Sequence, residues 1–205
     1  MNQLPKRTGV TDLTEDQLLL FDFFWDCYVP RRCLDSESYS VHMNVEYTHC
    51  LSDEQIDRVL GQLLERELIC CRENSPSTFT LTPCGGALWE AERKPDWGRY
   101  ISERGSHNER RLSLVSLSET VGRCYIGVLF SAGLIVPTER IKSKNIGKHW
   151  LTPWKRVADA RLLRVKVLGG EQMGFIDWSV YESGRTWWRS VAELDTLKPN
   201  DGHLK

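Results

Sequence analysis

Cysteine and histidine side chains are the residues of this chain that could bind a metal ion. His42, His49 and Cys50 lie close together in the sequence, and Cys33 precedes them. The chain contains neither a Cys-x-x-Cys nor a His-Glu-x-x-His pattern, which are spacings that zinc sites use. We therefore predict no metal site and no cofactor.

A nucleophilic triad could be assembled from Cys124, His149 and Asp159. Cys124 lies among apolar residues in a helix-like stretch, without a nucleophile elbow or a glycine-rich loop beside it. The pairs Gly85-Gly86 and Gly169-Gly170 are too short to hold a phosphate, and they fit a helix start and a hairpin turn. We expect the protein not to be an enzyme.

Tryptophan is in excess, with eight residues in a chain of 205. Trp187 and Trp188 are consecutive, so on a strand they face opposite sides and one points away from the core. Arg185 and Arg189 flank them. Tryptophan with arginine is typical of protein interfaces. A surface of aromatic and basic residues also fits binding of single-stranded nucleic acid. Packing between the two domains is expected to account for the largest share of the aromatic residues.

The stretch from Leu51 to Glu92 is the main structural pattern of the sequence, and it begins with a predicted helix. Ser52 and Gln55 have the spacing of a capping box. An apolar stripe follows at helical spacing and predicts one buried face. The stripe consists of Ile56, Val59, Leu60, Leu63 and Leu64. Two strand-like segments, joined by turn residues at 73–77, lead to a second predicted helix that begins at Pro83.

This order of helix, two-stranded ribbon and helix resembles the winged-helix transcription regulators of the multiple-antibiotic-resistance and phenolic-acid-response types. The resemblance rests on a leucine-rich turn and on the Leu-Thr-x-x-Gly that closes the wing, and it covers about a fifth of the chain. The matching residues are Leu60, Leu63, Leu64, Leu68, Ile69, Leu81, Thr82 and Gly85. The resemblance implies a winged-helix fold and DNA binding through the helix after Ser52.

Acidic residues occupy the end of that helix which would enter the major groove. Asp53, Glu54 and Asp57 lie there with one cation, Arg58. Phosphates repel carboxylates, so this end is poorly suited to DNA. We therefore predict that the three carboxylates bind a partner protein.

Two further features bear on the DNA alternative. Residues 39–47 alternate apolar and polar side chains, which predicts a strand where a helix-turn-helix needs a helix. If the module reads DNA, Arg58 and Arg72 are the expected contacts. The pair Arg31-Arg32 is interpreted as a solvated loop.

The charge of the chain is divided unevenly. Residues 1–106 contain 11 Lys/Arg and 18 Asp/Glu, whereas residues 107–205 contain 16 and 10. The acidic half includes the winged-helix-like stretch, which is the reverse of what nucleic-acid binding favours. An acidic half suits a basic protein partner, or docking onto the basic half of the same chain.

The length allows one large or two small domains. A polar stretch at 102–108 is the best candidate linker. We predict an α+β protein with a winged-helix-like domain at 1–101 and, at 108–205, an α+β domain with an aromatic-rich antiparallel sheet. A capping box at Thr14 predicts a helix that runs through Tyr28, apolar nearly all round and therefore deeply buried.

Hydrophobic spacing predicts the elements of the second half. Leucines at 112–117 indicate a strand, and residues 121–132 have helical spacing. The basic segment 139–148 is interpreted as an exposed loop or short helix. Residues 162–168 predict a strand, after which the chain turns at Gly169-Gly170. Residues 175–181 are predicted to return as its antiparallel neighbour, and a third strand is predicted at 186–188.

Cysteine use and hydropathy bear on location. Seven cysteines without a framework spacing are typical of reduced thiols in a cytoplasmic protein. Cys70 and Cys71 are adjacent in a predicted strand, so one of them is expected to face the core. We predict no signal peptide, no membrane-spanning segment and a cytoplasmic location.

The hypothesis that these observations favour is a non-catalytic protein-binding module. Its composition fits an immunity-type protein that neutralises a bacterial toxin by direct binding, with a basic toxin domain as the partner. A winged-helix DNA-binding transcription regulator is the alternative, and an enzyme of unrecognised type ranks third. The sequence does not indicate an oligomeric state.

Overall fold

The computed structural model describes residues 9–34, 51–103, 111–131 and 135–168. In these residues the protein is α+β with antiparallel sheets, as predicted. The chain divides into two compact units. The first extends to Pro95 and also contains Thr152–Arg156; the second contains Asp96–Leu151 and resumes at Val157.

Several sequence predictions fall outside the described residues. They are the strand at 39–47, the linker residues 104–108, and the strands at 175–181 and 186–188. The same applies to four predicted partner-binding residues, Arg185, Trp187, Trp188 and Arg189.

Two helices in the described part of the first unit begin at the predicted capping boxes. Helix α1 (Glu15–Phe24) follows Thr14, and helix α2 (Asp53–Glu65) follows Ser52. In both, the hydroxyl of the capping residue and the glutamine three residues later satisfy backbone N–H groups that the helix leaves unpaired.

Helix α1 is buried along most of its length but ends earlier than predicted. Every residue from Gln17 to Phe24 is buried, so the prediction of a deep helix is confirmed. The predicted extension through Tyr28 is wrong. Strand β1 (Val29–Pro30) must be extended to pair with another strand, and Pro30 cannot continue a helix.

The described part of the first unit also contains a three-stranded antiparallel sheet and helix α3 (Pro83–Arg93). Strands β2 (Ile69–Arg72) and β3 (Ser75–Leu81) form the predicted hairpin, and the sheet order is β1-β3-β2. A short 3-10 helix, Arg31–Cys33, follows β1. Helix α3 begins at Pro83 as predicted, because Thr82 caps it.

The prediction that Cys70 or Cys71 faces the core is wrong, because both side chains are exposed. The register of β2 against β3 shifts between Cys71 and Arg72. This shift lies beyond both cysteines and does not move them. Strand β2 is an edge strand, and every residue from Cys70 to Asn74 is exposed, so this end of the hairpin extends beyond the core.

A buried ion pair joins α1 to α3. The side chains of Asp22 and Arg93 are 4% and 6% exposed, and Arg93 Nη2 lies 2.6 Å from Asp22 Oδ2. Arg93 Nε donates to Asp22 Oδ1 at 3.1 Å, and Trp89 Nε1 donates to the same oxygen at 2.9 Å. Buried charges persist in proteins when they are paired and hydrogen-bonded in this way.

Tryptophan rings fill the space beside this pair. Trp25 stacks on Trp89 with centroids 5.0 Å apart, and Trp154 meets Trp89 edge-on at 6.3 Å. Trp154 Nε1 also donates to the Trp25 carbonyl oxygen at 2.6 Å. A Cβ atom on Gly86 would lie 2.0 Å from the Trp154 ring, so this position has no room for a side chain. Residues 152–156 are therefore part of the first core.

The second unit contains a five-stranded antiparallel sheet and one helix in its described part. The sheet order is β4-β5-β8-β6, and β7 also pairs with β8. The elements are β4 (Ile101–Glu103), β5 (Arg111–Ser116), α4 (Glu119–Ser131), β6 (Val136–Pro137), β7 (Lys142–Trp150) and β8 (Arg156–Leu168). The predicted strand at 112–117 is confirmed over 112–116, and the predicted helix is confirmed over 121–131. The predicted strand at 162–168 is the end of a longer one.

Helix α4 packs closely on one face of this sheet. A Cβ atom on Gly122 would lie 2.7 Å from Leu163 Cδ1. Leu112 and Leu114 of β5 and Val165 of β8 are buried, whereas the alternate residues Arg164 and Lys166 are exposed. The sheet is thus apolar on one face and charged on the other.

The basic segment 139–148 is not the predicted loop or short helix, because Lys142–Trp150 is strand β7. Its side chains do not alternate between apolar and polar, so the sequence carries no period-two signal. Pairing with β8 holds it in place, together with a hydrogen bond of 2.6 Å from Asn145 Nδ2 to Asp159 Oδ1.

Glu119 connects α4 to strands β7 and β8. It accepts hydrogen bonds from Ser143 Oγ at 2.8 Å, from Arg123 Nε at 2.9 Å and from Arg161 Nη1 at 3.2 Å. The hydrogen bond from Ser143, followed by that from Arg123, lowers the pKa of Glu119 below 4.5.

No helix among the described residues is long and apolar enough to cross a membrane.

We predict that Asp22→Ala lowers the free energy of unfolding by about 3–5 kcal/mol, because it removes the carboxylate that is paired with the buried Arg93 guanidinium. The matched control is Asp12→Ala. Asp12 pairs with Arg66 at 2.9 Å but is 74% exposed, so its loss costs at most about 1 kcal/mol. Urea unfolding measures both. Equal losses would contradict the prediction.

We predict that Glu119→Gln lowers the free energy of unfolding by about 1 kcal/mol at neutral pH. Because the folded pKa is depressed, this contribution is complete above pH 4.5 and disappears as the pH falls through the folded value. Urea unfolding of parent and variant at neutral pH and at about pH 3 therefore shows a shrinking difference. A difference that is constant with pH would contradict the assignment.

Candidate functional site

The outer side of α2 is an exposed acidic surface, here called the acidic α2 surface. It carries four carboxylates and one cation. Its exposed residues are Asp53, Glu54, Asp57, Arg58, Gln62, Leu64 and Glu65. All three predicted partner-binding carboxylates of the first unit are among them, and the structure brings them together on the first two turns of the helix.

Burial of the opposite side fixes the orientation of α2. Ile56, Val59, Leu60 and Leu63 are buried, so the apolar stripe predicted from the sequence is confirmed at these positions. Leu64 departs from that prediction, being 37% exposed. It lies at the edge of the stripe, about 100° around the helix from Leu63, and adds an apolar side chain to the acidic α2 surface.

Arg31, in the short 3-10 helix Arg31–Cys33, binds the acidic α2 surface. Its Nε donates to Asp57 Oδ1 at 2.6 Å, and its Nη2 donates to Asp53 Oδ1 at 3.1 Å. The hydrogen bond to Asp57 raises the pKa of Arg31. The interpretation of Arg31 as part of a solvated loop is therefore wrong. The two carboxylates remain 73% and 66% exposed, so Arg31 positions them without covering them.

Helix stability explains part of this acidity. Asp53 and Glu54 lie in the first turn, where negative charge complements the helix dipole. The pKa of Glu54 is lowered by its own backbone N–H and then by the Ser52 hydroxyl, which lies 2.8 Å from Oε2. Glu65 is the last residue of α2, where negative charge is unfavourable. The acidity therefore extends beyond what the helix itself requires.

Gly61 lies in the middle of α2, with no atom of another element within 4 Å of the position of an added Cβ. Glycine in a helix interior costs about 1 kcal/mol relative to alanine. No packing constraint in the described residues explains that cost. A glycine here leaves the backbone of the helix open to close approach.

The residues expected to contact DNA do not form a basic surface. Arg58 is exposed but lies on the same helix as the four carboxylates. Arg72 lies at the end of β2, with its guanidinium carbon 5.6 Å from the centroid of the Tyr28 ring. Glu73 follows Arg72 directly, so the tip of the hairpin has no net positive charge from this pair.

The metal site and the nucleophilic triad that were considered from the sequence gain no support from the described residues. Among the described residues, no group of three or more His, Cys, Asp or Glu side chains is arranged to hold a metal ion. His42, His49 and Cys50 lie outside those residues. Of the three residues considered as a nucleophilic triad, Cys124 is half-buried on α4, and Asp159 accepts a hydrogen bond from Asn145.

Comparison of the chain with protein-family models, with curated proteins and with solved structures finds no match. The assignment of function therefore depends on the physical chemistry of the surfaces described here.

We predict that Gly61→Ala raises the free energy of unfolding by about 1 kcal/mol, because it improves helix propensity without creating a clash. Gly127→Ala in α4 is the matched control, since an added Cβ there also meets nothing within 4 Å. Urea unfolding measures both changes. A loss of stability on Gly61→Ala would show that α2 has a neighbour at this position in the free protein.

Proposed function

We propose that the chain is a non-catalytic protein-binding module. Its first unit is a winged-helix domain in which the acidic α2 surface binds a basic protein. The observation that carries this proposal is the row of exposed carboxylates on α2, two of them positioned by Arg31.

The order of elements supports the winged-helix assignment. Among the described residues, helix α1, strand β1, helix α2 and the β2–β3 hairpin occur in this order, and β1 pairs with β3. In winged-helix proteins the helix before the hairpin is the recognition helix and the hairpin is the wing. The recognition helix corresponds to α2.

The charge of α2 supports a protein partner with a basic surface. Carboxylates fixed on a rigid helix attract such a surface, raise the association rate and repel acidic competitors. Leu64 and the open backbone at Gly61 provide an apolar contact and room for close approach beside the charges. Interfaces of this kind derive specificity from charge complementarity and affinity from a small desolvated centre.

The specific form of this function that we propose is an immunity-type protein. A toxin domain that acts on nucleic acid needs a basic surface for its substrate. An acidic helix that binds this surface would neutralise the toxin by blocking substrate access, and it would need no catalytic group.

We predict that the triple change Asp53→Lys, Glu54→Lys and Asp57→Lys abolishes capture of a basic protein from lysate of the source cells. The matched control reverses three exposed carboxylates elsewhere in the first unit, at Asp12, Glu15 and Glu73. Glu15 lies in the first turn of α1, so the control carries a comparable helix-dipole penalty. Immobilised full-length protein and mass spectrometry identify what is retained.

The control variant is expected to retain the basic protein, and the triple variant is expected to lose it. Raising the salt concentration should also weaken the capture, since exposed charges are screened. Equal retention by parent and triple variant would contradict the proposed surface.

Winged-helix DNA binding is the second candidate, favoured by the order of elements. It requires that Arg58 and Arg72 contact phosphates. A titration with random duplex DNA separates the candidates. Binding that is lost in Arg58→Ala/Arg72→Ala would establish the DNA function and would remove the protein-binding proposal for α2.

A further inference from the structure

The second unit contains a pocket lined by cations, here called the basic pocket. Its volume is about 270 Å³. Five cations and one carboxylate line it among the described residues. They are Arg111, Arg140, Lys142, Arg164 and Lys166, with Glu139 as the carboxylate. The pocket forms where β5 and β8 meet the residues at the start of β7.

Glu139 cannot balance the charge around it. Lys166 Nζ lies 2.6 Å from Glu139 Oε1, and Lys142 Nζ lies 3.9 Å from Oε2. In the described part of the chain, Arg140 and Arg164 have no carboxylate within 4 Å. Counted over the described residues, the basic pocket therefore has an excess of positive charge.

The register of the sheet concentrates this charge. Arg111 on β5 lies directly opposite Lys166 on β8, and Arg164 lies opposite Ser113 on the same exposed face. Like charges placed directly opposite each other destabilise a sheet. Arrangements that oppose folding in this way are expected where a protein binds a ligand.

We propose that the basic pocket binds phosphate groups, supplied by the backbone of a single-stranded nucleic acid or by a small phosphorylated molecule. Guanidinium groups recognise phosphate through paired hydrogen bonds, and within the described part of the chain no carboxylate competes for Arg140 or Arg164.

The size and lining of the pocket favour phosphate contact over enclosure of a base. Small-molecule sites usually occupy about 300–1,000 Å³ and are mostly apolar. The basic pocket is smaller, and Val165 is its one apolar lining residue among those described.

Cations continue along β7, the strand that pairs with β8. Lys144 and Lys148 are exposed, and Trp150 is 45% exposed at the end of the strand. Cations along a strand with an exposed aromatic ring suit a single-stranded nucleic acid, whose bases stack on aromatic side chains. This continuity makes the nucleic-acid backbone the favoured source of phosphate.

Fluorescence anisotropy with a labelled oligothymidylate of about 12 nucleotides tests the favoured source on the full chain. The parent should bind with an affinity that falls steeply as salt rises. The variant Arg140→Ala/Arg164→Ala should bind at least about tenfold more weakly, and its slope of log K against log salt should be smaller in magnitude by about 1.4, because each lost phosphate contact removes about 0.7.

Two variants make the comparison specific. Arg32→Ala removes an exposed arginine from the first unit, and it should bind as the parent does. Arg140→Lys/Arg164→Lys keeps both charges in the pocket, so it should keep most of the salt dependence. All substituted side chains are exposed, so the thermal midpoint of each variant should match or exceed that of the parent.

Thermal denaturation with inorganic tripolyphosphate, against sulfate at matched ionic strength, tests the second source. The site would be assigned to a small phosphorylated molecule if tripolyphosphate, and not sulfate, raises the Tm of the parent but not that of Arg140→Ala/Arg164→Ala, and if the parent does not bind the oligonucleotide. The proposal is overturned if neither probe acts on the parent. It is also overturned if Arg140→Ala/Arg164→Ala responds as the parent does, or if Arg32→Ala loses the binding.

Discussion

The buried pair of Asp22 and Arg93 is the interaction on which the first unit depends. It fixes α3 against α1, and Trp89 supplies a further hydrogen bond that keeps the carboxylate satisfied. The tryptophan cluster packs on the same ring, and the β2–β3 hairpin lies between α2 and α3 in the chain. A recognition surface needs such a rigid base, because a mobile helix would lose entropy on binding.

The two binding proposals follow from charge that the fold leaves exposed. In the first unit, Arg31 holds Asp53 and Asp57 in place while both remain open to solvent. In the second unit, pairing of β5 with β8 gathers cations around Glu139. The signs are opposite, so the expected ligands differ: a basic protein for α2 and phosphate groups for the basic pocket. A chain with both surfaces could bind a nucleic-acid-directed protein and a phosphate-bearing ligand at separate sites.

Features encoded over a few residues were predictable from the sequence. The capping boxes at Thr14 and Ser52, the buried stripe of α2 and the start of α3 depend on spacings of three to four residues. The acidity of Asp53, Glu54 and Asp57 was visible for the same reason. Strand β7 was missed because its side chains carry no alternation. The exposure of both cysteines of β2 was missed because this end of the hairpin extends beyond the core.

Features that depend on contacts between distant residues could not be predicted. Asp22 and Arg93 are 71 positions apart, and in the sequence Asp22 only interrupts an apolar run. Arg31 lies 26 positions before Asp57, and nothing local indicates that they meet. The basic pocket depends on the register that sets Arg111 opposite Lys166. The segment 139–148 was recognised as basic, but its cations form a pocket only with those of β5 and β8.

The most direct measurement places a photo-crosslinking benzoylphenylalanine at Leu64, which is uncharged and exposed on the acidic α2 surface, and irradiates the source cells. Val10, which is 64% exposed in the same unit, is the control position. If α2 recognises a basic protein, position 64 gives a covalent adduct with one such protein and position 10 does not. An adduct with nucleic acid, or equal labelling from both positions, would contradict the assignment of α2 as a protein-binding surface.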